Sequence, residues 1–174
     1  MNTDKKISRR EALKRMGICR DKAVLSHLPA YSRWHPAKQK GVSVSSFYFT
    51  GTGNSLYIAR QLAGENAELL SIPQMVKRGK YEFEADEIGI VYPIYGHMPP
   101  YMVRQFIQKA KLKAEYKFAV LTYGARKCNA VEIWDRISCK ADNAFDYINT
   151  IIMVDNWLPN FDMNEQLKIE QAHS

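Results

Sequence analysis

Ser46-Phe47-Tyr48-Phe49-Thr50-Gly51-Thr52-Gly53-Asn54-Ser55, continued by Leu56-Tyr57-Ile58-Ala59-Arg60-Gln61-Leu62-Ala63-Gly64, decides the reading of this chain. An aromatic, β-prone run stops at a loop of glycines, hydroxyls and one amide. Apolar residues then recur at Leu56, Ile58, Ala59, Leu62 and Ala63, a helical spacing, and Gly64 is a natural stop. The stretch reads as strand, tight loop, helix. Gly51 and Gly53 permit positive φ and close approach of a ligand to the backbone. Thr50, Thr52, Asn54 and Ser55 add side-chain donors where a new helix presents unpaired N–H groups, and together these features make a cradle for a phosphate.

No lysine follows the second glycine and the spacing is short, which excludes a Walker A loop; the missing third glycine excludes G-x-G-x-x-G. The Thr-Gly-Thr-Gly-Asn-Ser run after a strand resembles the FMN-phosphate loop of the flavodoxins. A loop of that kind holds a dianion with neutral donors and a helix N-terminus, without a lysine. The bland alternative is a Gly-Thr turn that binds nothing.

The 174 residues suit one α/β domain with an appendage. The net charge of +7 points at first to nucleic acid, but residues 1–41 hold 11 Lys/Arg against 3 Asp/Glu, while residues 42–174 hold 14 against 15. All the basicity belongs to the leader, so the domain at 42–174 has no phosphate-backbone footprint and no nucleic-acid partner is expected. Cys19, Cys128 and Cys139 show no C-x-x-C spacing, so neither a zinc nor an iron–sulfur centre is expected within the chain. No apolar run approaches the length of a membrane span.

Within the leader, Ile7-Ser8-Arg9-Arg10-Glu11-Ala12-Leu13-Lys14-Arg15-Met16-Gly17 is similar to a twin-arginine export motif. The apolar segment such a signal requires is missing, because Gly17-Ile18-Cys19 runs directly into Arg20, Asp21 and Lys22. The leader is therefore expected to be a signal-like or disordered basic segment. The cytoplasm is the expected compartment, and the periplasm follows if the leader is functional.

Strands are expected at Val42–Phe49 (with Ser46–Phe49 its firm part, since serines sit poorly in a doubly covered strand), Ala67–Ile72 closed by Pro73, Glu87–Tyr92, Tyr116–Tyr123 and Tyr147–Val154. Gln74–Ala85 reads as a charged connection with one weak helix. Helices are expected over Tyr101–Lys111, Ala130–Cys139 and Met163–His173, the last short for covering a sheet face and open to truncation. Alternating strands and helices imply an α/β, doubly wound sandwich with a five-stranded parallel sheet.

Three loops then leave carboxyl ends of strands, where ligands bind in such sheets. They are Thr50–Ser55, Pro93-Ile94-Tyr95-Gly96-His97-Met98-Pro99 and Thr122-Tyr123-Gly124-Ala125-Arg126-Lys127-Cys128-Asn129. With Met153-Val154-Asp155-Asn156-Trp157-Leu158-Pro159, they make residues 46–157, about two-thirds of the chain, resemble the flavodoxin part of bacterial flavodoxin–ferredoxin fusion proteins. The ferredoxin cysteines of that family are absent. The resemblance implies strand order 2-1-3-4-5 and FMN as cofactor. It implies a site formed by Thr50, Gly51, Thr52, Gly53, Asn54, Ser55, Pro93, Ile94, Tyr95, Gly96, His97, Thr122, Tyr123, Gly124 and Asn129. Tyr95 and Tyr123 offer flat faces to the ring, and Gly96 a peptide free to reorient near it. His97 as acid or base competes with a solvent-facing loop histidine, and Cys128 at the ring edge with a structural thiol. The Arg126-Lys127 pair reads as solvated. The function implied is electron transfer with ferredoxin-type or flavin/NAD(P)H-reductase partners, the cofactor doing the redox chemistry. The alternatives are an FMN-dependent NAD(P)H oxidoreductase of quinones or other small acceptors, and a degenerate domain that binds nothing.

Overall fold

A computed structural model describes residues 43–63, 67–155 and 162–173. The leader with its arginine pair, the stop at Gly64 and the Asn156–Pro159 exit lie outside these residues. Five parallel strands form the main sheet: β1 (Val44–Tyr48), β2 (Glu68–Ser71), β4 (Glu87–Pro93), β6 (Tyr116–Tyr123) and β7 (Tyr147–Ile152). Their order is β2-β1-β4-β6-β7. Counting only these strands, that is 2-1-3-4-5, the flavodoxin-like order. The helices are α1 (Asn54–Ala63), α2 (Ile72–Arg78), α3 (Tyr101–Lys109), α4 (Ala130–Lys140) and α5 (Met163–His173).

The sheet has two unlike faces because side chains alternate along each strand. Ile88, Ile90 and Tyr92 of β4 and Ala119 and Leu121 of β6 join one cluster with Phe106 of α3 and Trp134 of α4. The helices α2, α3 and α4 pack side by side over it. Each fully buried Ile, Leu or Phe contributes about 1.5–3 kcal/mol through removal from water. On the opposite face lies α1, which buries Ser55, Ile58, Ala59 and Ala63.

β1 begins at Val44, earlier than the firm part expected at Ser46, and both Ser45 and Ser46 are buried. For Ser46 the reason is visible in one register row, where Ser46, Gly89 and Phe118 lie side by side across three strands. The Phe118 ring lies across Gly89, so that a Cβ there would collide with it. Small residues on two strands make room for one large ring. The local run looks too polar for a central strand only because the neighbouring strand supplies the volume.

Two further differences concern short elements. Pro73 does not close the second strand; it sits in the first turn of α2, where its missing N–H costs nothing. That helix ends at Gly79 with φ 65°, whose N–H reaches back to Met75 and Val76 carbonyls. The connections also hold a second, two-stranded parallel sheet, β3 (Glu82–Glu84) with β5 (Lys111–Lys113). Its exposed face pairs Glu82 with Lys111 at 2.7 Å and Glu84 with Lys113 at 3.5 Å, while Phe83 and Leu112 turn to the core. Helix α3 therefore stops at Lys109. Buried Asn143 secures this corner: its Nδ2 donates to the Ala110 carbonyl at 2.7 Å, and its Oδ1 accepts from Leu112 N–H at 3.2 Å.

Candidate functional site

The chain leaves β1 toward β2 on one side, and β4 continues the sheet on the other, so the order reverses beside β1. At that switch point, beyond the carboxyl ends of the strands, lies a cavity of about 500 Å³. This lies within the range of small-ligand sites, ≈ 300–1,000 Å³.

Its first wall is the loop after β1, represented by Thr50, Gly51, Thr52, Asn54 and Ser55. Thr50 Oγ1 accepts from Gly53 N–H at 2.9 Å, which folds the loop back on itself. Gly53 stands at φ 103°, a conformation that side-chain-bearing residues resist, and it does not line the cavity. A Cβ on Gly53 would meet no atom within 4 Å, so the glycine serves the backbone angle and not close packing. Helix α1 begins at Asn54, and the N–H groups of its first turn lack intrahelical acceptors. Two of the expected side-chain donors are already engaged. Asn54 Nδ2 donates to the Val154 carbonyl at 2.7 Å, and Ser55 Oγ shares a buried hydrogen bond with Thr122 Oγ1 at 2.9 Å. They tie the first loop to the ends of β7 and β6. Thr52 is the exposed hydroxyl left at the cavity's edge.

Pro93, Ile94 and Tyr95 supply the second wall. Tyr95 and Met98 exchange backbone hydrogen bonds at 2.9 and 3.0 Å around Gly96 and His97, whose φ angles are 53° and 72°. Positive φ at both central positions is the signature of a type I′ turn. The Gly96 peptide, expected free to reorient, is thus held inside a closed turn. Tyr95 is 49% exposed, meets Phe49 edge-on at 6.4 Å, and leans over the first loop. Its hydroxyl lies 2.7 Å from where a Cβ on Gly51 would stand, so a larger residue at 51 would push the Tyr95 ring aside.

The third wall is Thr122, Tyr123 and Gly124. Gly96, His97 and Asn129 lie outside the lining. Cys128, exposed and at φ 44°, places its Sγ 3.9 Å from His97 Nε2, so these two loop residues meet each other rather than the cavity.

A fourth wall was missed among the expected site residues: Met153, Val154 and Asp155, leaving β7. Asp155 carries the one charge among the described residues of the lining, and its carboxylate packs on Gly124. The run Met153-Val154-Asp155 carries no glycine or hydroxyl signal of a ligand loop, and only the resemblance of the exit from the last strand pointed to it. The strand order alone brings it beside the first loop. Among the described residues, the lining holds no lysine, histidine or cysteine. The arrangement offers neutral donors and a helix N-terminus together with aromatic and apolar surfaces from Tyr95, Tyr123 and Met153.

No protein-family model and no curated protein matches the sequence. Solved structures do match in shape. A flavoprotein in complex with FMN from Lactobacillus acidophilus is 11% identical with a TM-score of 0.47, over 63% of this chain and 93% of its own. A short-chain flavodoxin associated with a bacterial microcompartment is 14% identical with a TM-score of 0.45, over 76% and 99%. An azoreductase from Bacillus anthracis is 11% identical with a TM-score of 0.46, over 75% and 94%. Likenesses this distant leave the assignment to the strand order and the switch-point cavity, and by these the chain has a flavodoxin-like α/β fold.

Proposed function

We propose that this protein binds FMN and carries electrons. The observation that supports it best is the make-up of the cavity's lining. Gly51, Thr52 and the first turn of α1 suit a phosphate dianion, with N–H groups and a helix N-terminus. Tyr95, Tyr123, Ile94 and Met153 suit a flat, largely apolar ring.

Thr52 would donate to the phosphate, and the backbone N–H groups of Asn54 and Ser55 would complete its shell. Ser55 and Thr122 would act indirectly, by fixing the loop against β6. Tyr95 would lie against the ring, and its half-exposed position leaves the cavity open on that side for exchange with another protein. Bound FMN would supply the one- and two-electron redox chemistry, and the protein would tune it by packing, hydrogen bonds and charge. Redox partners of the ferredoxin type, or a flavin/NAD(P)H reductase, follow from this reading.

An NAD(P)H oxidoreductase of small acceptors remains the second reading, favoured by the same open side of the cavity. Mixing the FMN-loaded protein with NADPH in a stopped-flow instrument separates the two. Bleaching of the flavin band only after a reductase is added supports the carrier; rapid bleaching by NADPH alone overturns it in favour of the oxidoreductase. Protein that stays colourless after incubation with FMN overturns both.

Among the described residues, no helix is long and apolar enough to cross a membrane. The domain division at residue 41 and the export reading of the leader stand as proposals. Fusing residues 1–41 to a reporter and following its export tests the latter.

A further inference from the structure

Outside the cavity lining, a thiol and an imidazole meet that the FMN reading does not use. Cys128 is exposed, carries a free thiol, and places its Sγ 3.9 Å from His97 Nε2. The contact spans 31 positions of sequence and joins the loop after β4 to the loop after β6. The turn closed by Tyr95 and Met98 presents His97 to the neighbouring loop. With its proton on Nδ1, the imidazole has Nε2 free to accept one from sulfur. The sequence around the thiol is cationic. Arg126 and Lys127, both exposed, immediately precede Cys128, and helix α4 opens two residues after it, at Ala130. The first acidic residue that follows is Glu132, in the first turn of α4. An exposed thiol with a base at hand, in an electropositive setting, is the environment of a reactive cysteine.

We infer that Cys128 and His97 form a thiol-modification site that reacts with small anionic disulfides by thiol–disulfide exchange. Cys128 Sγ attacks one sulfur of the disulfide, and its proton passes to His97 Nε2. The old S–S bond breaks as the new one forms, and its electron pair leaves on the second sulfur. That leaving thiolate takes the proton from His97. One thiol and one disulfide thus become another thiol and another disulfide, and no further oxidant is consumed. Arg126 and Lys127 draw in a reagent that bears carboxylates. The modified sulfur stands between two loops that wall the cavity, through Tyr95 and Gly124, and outside the lining itself. None of this depends on what the cavity binds.

The test uses the full chain at neutral pH with two disulfide probes: dithiobisnitrobenzoate, which carries two carboxylates, and cystamine, which carries two ammonium groups. Mass spectrometry of peptides follows labelling at Cys128 itself. The same chain unfolded in urea gives the rate of an exposed thiol without assistance. Folded wild type should label at Cys128 with dithiobisnitrobenzoate at least about tenfold faster than the unfolded chain. Labelling no faster than in the unfolded chain overturns the inference without recourse to any variant. His97→Asn removes the base and keeps a residue that tolerates the left-handed angle. It should bring the folded rate to within about twofold of the unfolded one. An unchanged rate in His97→Asn protein that melts like wild type overturns the inference as well. Charge is read separately, by changing Arg126 and Lys127 together to Gln. That variant should react severalfold more slowly with dithiobisnitrobenzoate, an effect that fades in high salt, and no more slowly with cystamine. Equal slowing of both probes overturns the assignment of an anionic reagent.

Discussion

Ser55 and Thr122 share a buried hydrogen bond, hydroxyl to hydroxyl at 2.9 Å, across 67 positions of sequence. It joins the first turn of α1 to the end of β6, with exposures of 1% and 2%. The bond ties two of the three expected ligand loops together and engages the Ser55 hydroxyl within the protein.

Breaking that pair should cost more than deleting it. Ser55→Ala leaves the Thr122 hydroxyl buried without this partner, and Thr122→Val does the converse. Each should lose about 1–3 kcal/mol, whereas the double variant should lose less than their sum. Urea denaturation of the four proteins measures this; strict additivity would show that the two hydroxyls act independently.

Gly89→Ala should destabilise the fold by about 1–3 kcal/mol, because its methyl group enters the space of the Phe118 ring. A second change, Phe118→Leu, should recover part of the loss. Thermal melts that place Gly89→Ala at the wild-type midpoint would contradict the small–large row across β1, β4 and β6.

Neighbouring carboxyls at the start of β4 should give opposite pH dependences. Asp86 accepts hydrogen bonds from Ser43 N–H and Oγ–H, both at 2.8 Å, and these hold its pKa below the usual value. Its stabilising contribution is present above the unfolded pKa, near 3.9, and is lost as pH falls through the lower folded value. Glu87 is the reverse: burial, then the adjacent Asp86 charge, raise its pKa, and its Oε2 has no hydrogen-bond partner among the described residues. Its contribution is present below the unfolded pKa, near 4.3, and is lost as pH rises through the folded one. At pH 7, Asp86→Asn should therefore lower the urea midpoint and Glu87→Gln should raise it. The same direction for both would refute the assignment.

How much of this was legible depended on whether the signal was local. The strand–loop–helix at Phe47–Ala63 carries its turn chemistry in its own residues, and the buried runs at Glu87–Pro93 and Tyr116–Tyr123 announce themselves by hydrophobicity. Loop residues such as Tyr95 and Gly124 follow from those strand ends. Ser46 of β1 misled because its setting depends on Phe118, some seventy residues away. The three-residue strands β3 and β5 are too short and too charged to show alternation, and they exist because Phe83 and Leu112 find the core. Asp155 enters the cavity by topology alone. Gly96, His97 and Asn129 were expected there from loop membership, and the turn closed by Tyr95 and Met98 directs the first two elsewhere.

Within the first loop, Thr52→Ala should weaken FMN binding by roughly 1–2 kcal/mol through one lost donor. Gly53→Val should be worse, through the strain of φ 103° rather than through a clash, since the space beside it is open. Fluorescence quenching on titration with FMN decides both; Gly53→Val binding like wild type would remove the backbone argument.

The central claim is that the Gly51–Ser55 cradle receives a phosphate, and its most direct test compares FMN with riboflavin. Both ligands share the ring and the sugar chain, so the difference between them isolates the phosphate. Each charge-assisted hydrogen bond to it contributes on the order of 1.5–3 kcal/mol before losses from non-additivity. Titrating the apoprotein with each ligand should therefore show FMN binding at least a hundredfold more tightly, about 2.7 kcal/mol or more. Equal affinities for FMN and riboflavin would contradict the account.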